Sequence, residues 1–394
     1  MISERAHRRG DPPESLPGRL WAFAASLDKL QFGAVLFLTC VGLVFIYSTG
    51  VQAGDGGHFF RRQLIWLAVG GVAYFGCAIP DLSLPRYRVF AALAYLATVV
   101  MLVLVLVPGV GIRVYGATRW LGAGSLRIQP SEFAKLGLIL ALSSLFSSML
   151  FKIDRPGGPV AGALVTLLPA ALIVIEPDLG SAIVCVPVFL TILFCAGLKW
   201  RFIFIGVLAA ALLAGAVFFN ETMRIRPMLT NYQRNRIRTF LNPEFDRSGA
   251  GYNAYQAKLA VGSGGLTGKG IGEGTQNTLG FLPQTVANND FIFSVIAEET
   301  GFFGALTLIC AYILLLYSIL RTAFVTEEVF GRSLCVGVAA MFFTHMFINI
   351  GMSIGVMPIT GLSLPLVSRG GSFTVVSLAA LGLVQAVHRR REDD

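Results

Sequence analysis

Residues 291–320 read FIFSVIAEETGFFGALTLICAYILLLYSIL. A helix of that length would extend about 45 Å at roughly 1.5 Å per residue. The hydrocarbon of a bilayer is only about 30 Å thick. The part from Phe302 to Leu320 is enough to cross it, whereas Glu298 and Glu299 precede it, and carboxylates facing lipid are costly. The first turns are therefore expected to tilt, to kink near Gly301 or to line a polar cavity, and Glu298 and Glu299 demand the cavity. The rest of the chain has the same character. Of 394 residues, 55% are hydrophobic and 13% are charged, and the mean hydropathy is +0.71. A soluble domain is about 25% charged. Apolar runs recur near 31–49, 63–79, 89–107, 133–151, 159–175, 181–197, 202–219, 302–320, 333–352 and 371–388. Lipid leaves backbone polar groups no partner outside a helix. The expected fold is an all-α polytopic membrane protein with about ten transmembrane helices. A soluble enzyme, a disordered chain, a disulfide scaffold and a nucleic-acid-binding module are all poor fits to this composition.

Charge sets the orientation. With the N-terminus inside, the cytoplasmic segments hold 16 basic residues and the short outer loops six: Arg61, Arg62, Arg113, Arg119, Arg127 and Arg369. The positive-inside rule then places both termini in the cytoplasm. The expected organisation is a cytoplasmic tail over 1–30, a ten-helix membrane domain over 31–388 and a short cytoplasmic tail over 389–394. The N-terminal segment has no cleavable signal pattern. One long loop, 220–290, falls on the outer side with eight basic residues against five acidic ones. Basic residues there play no part in orientation, so they suggest an anionic ligand such as a phosphate or pyrophosphate headgroup. An ordinary solvated loop is the alternative. The net charge of +9 follows the loops, which fits a membrane surface better than nucleic acid. All six cysteines lie within apolar runs, and the four histidines are scattered, so neither a disulfide framework nor a zinc site is indicated.

Several short motifs carry chemistry. Segment 108–132 is expected to be a loop containing Arg119 and the interfacial anchor Trp120. Pro130 then opens a helix, with Glu132 in its first turn and Lys135 three residues later on the same face. A cation inside an apolar run usually lines a cavity. EPDLG at 176–180 reads chiefly as a helix start capped by Asp178. VGSGGLTGKGIGEGTQ at 261–276 is not a phosphate loop, since Lys269 is followed by Gly270 and position 263 is Ser. Its glycines permit tight turns or close backbone approach to a ligand. Asp290 precedes an apolar run and suits a helix cap, and Ser294 and Glu298 follow at four-residue intervals. GVMPITGLSLPLVSRGGS at 355–372 is a Pro/Gly-broken stretch near membrane depth that includes Arg369. Non-helical backbone there must be buried or line a cavity.

The stretches QPSEFAK, YQRNRIRTFLNP, GYNAYQAKLAVGSGGLTGKG, DFIFSVIAEETG and NIGMSIGVMPITGLSLPLVSRGGS occur in that order. Together they resemble signatures of the SEDS family (shape, elongation, division and sporulation), from about residue 30 to 390. GTQNTLGFLP and MPITGLSLPLVS are closer to the elongation branch than to the division branch. The resemblance implies an inverting peptidoglycan glycosyltransferase that polymerises lipid II on the outer face of a bacterial cytoplasmic membrane. Its partners would be a class B penicillin-binding protein transpeptidase and other elongation-complex membrane proteins. Asp290 inherits the catalytic role, and Glu132 and Lys135 match cavity positions. Arg119, Arg234, Arg236, Arg369 and Lys269 are candidate substrate-binding cations, together with a possible divalent cation, Mg or Mn. The chain departs from the family pattern at Gln284, in a longer stretch before Asp290, and at Arg369 where a tyrosine is usual. A lipid II flippase, a non-catalytic scaffold and a division paralogue are the alternative readings.

Overall fold

The computed structural model describes residues 23–52, 54, 57–79, 84–114, 117–123, 126–148, 157–222, 234, 236, 238–240, 246 and 249–393. The N-terminal tail before Phe23 and three of the eight basic residues of the 220–290 loop, Arg224, Arg226 and Arg247, lie outside them, as does the side chain of Gln284. The long helices follow the apolar runs in order: α1 Lys29–Gln52, α2 His58–Ala78, α3 Leu84–Leu106, α4 Pro130–Phe146, α5 Gly157–Ile175, α6 Leu179–Cys195 and α7 Trp200–Thr222. After the long loop with α8 Ala250–Ser263, α9 Thr275–Thr278 and α10 Gln284–Ala287 come α11 Ile292–Val325, α12 Val329–Ser353 and α13 Gly371–Asp393. Six of these, among the described residues, are long and apolar enough to span a bilayer by that measure alone, and α6 is a shorter apolar helix. The chain is an all-α multi-pass membrane protein. Helices α12 and α13 are the most enclosed, and α3 faces mostly outward.

Packing relies on small residues where backbones approach, as membrane helix pairs require. A methyl group on Gly382 of α13 would stand 2.2 Å from the Tyr74 carbonyl oxygen of α2. One on Gly137 of α4 would stand 2.7 Å from Thr98 Oγ1 of α3.

Segment 108–132 is more ordered than a loop. It forms a three-stranded antiparallel meander, β1 Ile112–Val114, β2 Ala117–Ala123 and β3 Leu126–Ile128. Ile112 pairs with Trp120, and Leu121 with Ile128. The strands satisfy one another's backbone groups where a bare loop would leave them to solvent, and β2 carries Arg119 to the bundle.

Helix α11 begins earlier than the apolar run beginning at Phe302 and breaks at Gly301, whose φ of 69° and ψ of −162° are non-helical. The kink is present, and the two carboxylates expected in a polar cavity are instead met by protein partners. The glycine segment closes over it. Phe302 N and Phe303 N donate to Gly265 O and Leu266 O at 2.9 and 3.2 Å, while Lys269 N and Gly270 N donate to Glu298 O and Glu299 O at 3.0 Å each. A methyl group at Gly268 would come within 2.2 Å of Glu299 O. These glycines thus allow close approach to a neighbouring helix rather than to a ligand. Both carboxylates are consumed here: Glu298 Oε1 accepts Lys269 Nζ at 2.6 Å and Gln276 N at 3.1 Å, and Glu299 accepts Ser48 Oγ at 2.8 Å and Gly272 N at 3.0 Å.

Candidate active site

The long helices alternate in direction, so one end of the bundle gathers the β-meander, the 176–178 turn, the approach to α11 and the broken stretch after α12. Asp290 lies there, just before α11. It is not the helix cap expected from spacing. Phe291 occupies the cap position without a side-chain bond, and the Asp290 carbonyl instead accepts Asn349 Nδ2 from α12 at 2.8 Å. The carboxyl faces elsewhere, with Oδ1 buried and lacking a hydrogen-bond partner among the described residues. Gly361, at a φ of +78°, brings bare backbone between two charges. A methyl group there would stand 3.6 Å from Arg236 Nη2 and 3.7 Å from Asp290 Oδ2. Arg236 is held by an Nη1–H bond to Ile359 O at 3.0 Å. Burial pushes the Asp290 carboxyl up to about 6, while Arg236 and Arg119 pull it down and Asp178 adds a push upward.

A second charged group stands beside the first. Asp178 does cap α6, accepting Ser181 N at 3.4 Å, but it does more than a cap. Its Oδ2 also accepts Ser181 Oγ at 2.8 Å, Ser131 Oγ at 3.1 Å and Gln129 Nε2 at 3.1 Å. Arg119 reaches it from β2, with Nη1 3.9 Å from Asp178 Oδ1. Its Nε donates to Glu176 O at 3.1 Å and its Nη2 to Pro177 O. A methyl group on Gly180, two residues on, would stand 2.8 Å from Thr360 O, which fixes this turn against the segment carrying Gly361. Glu176 is buried with neither carboxyl oxygen hydrogen-bonded among the described residues. Burial, with Asp178 adding to it and Arg119 opposing, pushes it up to about 8, so it is mostly protonated at neutral pH.

Beneath them, Lys135 Nζ lies 2.8 Å from Glu132 Oε2 and 2.8 Å from His345 Nε2, and both Lys135 and Glu132 are buried. Of the remaining expected cations, Arg234 is partly buried two residues before Arg236. Arg369 stacks 4.0 Å over the Phe59 ring, and its backbone N–H bonds Asn288 O at 2.9 Å. Lys269 is not with Asp290 but in the clamp on Glu298. The structure therefore brings together Asp290, Arg236, Arg119 and Asp178, sets Glu132 and Lys135 below them, and removes Lys269.

Sequence reading underweighted Asp178 and Glu176, and passed over His345 and Asn349. For His345 and Asn349 the signal was a polar residue inside an apolar run, the two standing four apart on one helix face.

A family model described as "Cell cycle protein", covering FtsW, RodA and SpoVE, matches residues 28–393. The chain belongs to the FtsW/RodA/SpoVE family. It is 39% identical over 370 residues to peptidoglycan glycosyltransferase MrdB of Escherichia coli K12, covering 93% of this chain and 95% of that one. It is 33% identical over 371 residues to stage V sporulation protein E of Bacillus subtilis, covering 92% and 97%. Among solved structures, RodA of Thermus thermophilus matches with a TM-score of 0.67 at 31% identity, covering 93% of this chain and 98% of that one. A chain from work on "structural coordination of polymerization and crosslinking by a peptidoglycan synthase complex" matches at a TM-score of 0.77 and 33% identity, covering 93% and 99%. This FtsW/RodA/SpoVE chain thus shares the fold of that family over almost all its length.

Proposed function

We propose that this FtsW/RodA/SpoVE protein is a peptidoglycan glycosyltransferase of cell elongation, polymerising lipid II into β-1,4 glycan strands at the outer face of the cytoplasmic membrane. The observation that carries this reading is the partly buried Asp290 carboxyl, whose Oδ1 is enclosed without a hydrogen-bond partner among the described residues and whose Oδ2 faces Arg236 across Gly361.

The chemistry follows from that pairing. The 4-hydroxyl of an acceptor sugar attacks the anomeric carbon of the donor, the new C–O bond forms with inversion, and the bond to the lipid pyrophosphate breaks. Asp290 takes the hydroxyl proton as general base, for which a carboxyl raised to about 6 is suited. The leaving pyrophosphate carries away negative charge, which Arg236 and Arg119 would stabilise, with Arg234 and Arg369 as further candidate cations. Asp178 orients Arg119. No cluster of three or more His, Cys, Asp or Glu suited to a metal occurs among the described residues. A divalent cation of the Mg or Mn type would rest chiefly on the pyrophosphate oxygens of the substrate, since Mg²⁺ is commonly bound through substrate phosphates. When bound it would supply further charge neutralisation. The partner would be a class B penicillin-binding protein that crosslinks the new strands.

The test is polymerisation of labelled lipid II by the purified chain with its transpeptidase partner and a divalent metal, beside Asp290→Asn. Polymer from the native chain and none from a folded variant supports the reading. Polymer from both removes Asp290 from its role. Bound lipid without polymer from either favours a flippase or scaffold.

A further inference from the structure

Helix α12 carries two polar side chains one turn apart, and both reach the same stretch of non-helical backbone. Asn349 Nδ2 donates to Leu362 O at 2.7 Å and to Asp290 O at 2.8 Å. His345 Nδ1 lies 3.1 Å from Ser363 O. A carbonyl cannot donate, so the proton sits on Nδ1 and Nε2 presents a lone pair. That lone pair accepts Lys135 Nζ at 2.8 Å. Lys135 in turn is held by Glu132 at 2.8 Å and lies 5.4 Å from the centre of the Phe373 ring, on which His345 stacks at 4.6 Å. The same segment is tied from its other side. Ser363 Oγ donates to Asn289 Oδ1 at 3.1 Å, and Ser368 Oγ donates to Asn289 O at 2.6 Å. Arg236, opposite Asp290, hangs from Ile359 O.

Residues 359–364 are therefore a strap without secondary structure, and the general base and its facing cation are both fastened to it. Nothing in a helix or sheet fixes such backbone, so side chains must do so. We propose that His345 and Asn349 are positioning residues for glycosyl transfer, holding the 359–364 strap and the Asp290 backbone in register, and that Lys135 with Glu132 locks the His345 tautomer rather than contacting substrate. Lys135 is 1% exposed, and two of its three N–H groups point at protein acceptors, which suits a lock and not a pyrophosphate ligand. This inference deepens the glycosyltransferase reading and rests on it for its kinetic arm.

The experiment compares the native chain with Asn349→Ala, His345→Gln, His345→Asn and Lys135→Met, each with the transpeptidase partner. Two quantities are read: steady-state polymerisation of lipid II, and backbone hydrogen exchange across 359–364. An asparagine amide places its N–H near that of histidine Nδ1, whereas a glutamine amide reaches toward the Nε2 position. His345→Asn should therefore keep the bond to Ser363 O, and His345→Gln should lose it. Asn349→Ala and His345→Gln are expected to lower kcat by about ten- to a hundredfold, the scale of an ångström's misplacement, with KM within about twofold. Exchange in the strap should quicken about tenfold in the same two variants. His345→Asn should restore slow exchange and most of kcat, and Lys135→Met should leave KM unchanged. A raised KM in Lys135→Met at constant kcat would make that lysine a substrate ligand and overturn the assignment. So would equal exchange in all the variants. If the native chain makes no polymer, the glycosyltransferase reading falls, and the exchange contrast between His345→Gln and His345→Asn still decides whether the strap is held as described.

Discussion

The rate of polymerisation should rise about tenfold between pH 5 and pH 7, and the folded protein should lose stability as the pH climbs from about 4 through about 6. Both follow from one carboxyl. Burial raises Asp290 from an ordinary 3.8 to about 6, against the pull of Arg236. A base with that value is about one-tenth ionised at pH 5 and about nine-tenths ionised at pH 7, whereas at 3.8 it would be ionised throughout and the profile flat. The stability effect has the opposite sign. A group whose value is raised on folding contributes stability that is fully present below about 3.8 and is lost as the pH climbs through about 6. About two units correspond to about 3 kcal/mol. Asp290→Asn should therefore abolish polymer yet unfold later at pH 7, by up to about 3 kcal/mol, and gain little at pH 4. Initial rates at saturating lipid II and thermal unfolding in detergent measure the two effects. A flat rate profile, together with an Asn variant no more stable than native at neutral pH, would refute the reasoning about burial.

Other outcomes follow from the same geometry. Arg236→Met should move the acid limb of the rate profile to higher pH, and Asp178→Asn should move it to lower pH, as pH–rate curves of the two variants would show. Gly361→Ala places a methyl group in ordinary contact with Arg236 and Asp290, but in left-handed backbone. It should cost about 1 kcal/mol of stability, and the rate should fall by more than that alone, read as melting temperature beside specific activity. Lys269→Met leaves Glu298 buried without its cation and should destabilise by about 3 kcal/mol, while KM for lipid II stays near native because Lys269 is remote from Asp290. Gly268→Ala, whose methyl group would meet Glu299 O at 2.2 Å, should fail to give folded protein in a detergent size-exclusion profile.

The helices were legible because lipid imposes a length and a composition that any reader of the chain can count. The i, i+3 pairing of Glu132 with Lys135 was legible for a similar reason, as helical spacing alone places them on one face. What escaped was decided by non-helical backbone. Asp290 looked like a cap because it precedes an apolar run, but its carbonyl was claimed by Asn349, fifty-nine positions away in sequence. Asp178 looked chiefly like a cap because Arg119 reaches it from a β-meander whose pairing no helical period reveals. Lys269 looked like a ligand for anions, and its partner Glu298 became visible only once the glycine segment was folded back over α11.

That clamp has a consequence for biogenesis. The two carboxylates of α11 are satisfied by residues that come earlier in the chain, Ser48 and the 263–276 segment. When α11 is being made, its acidic turns need those partners already waiting on the far side of the membrane. The chain supplies them in that order, because Ser48 and the long loop are synthesised before Glu298 and Glu299. A circular permutant opened between α10 and α11, which reverses this order, should insert poorly although every contact of the finished protein is retained.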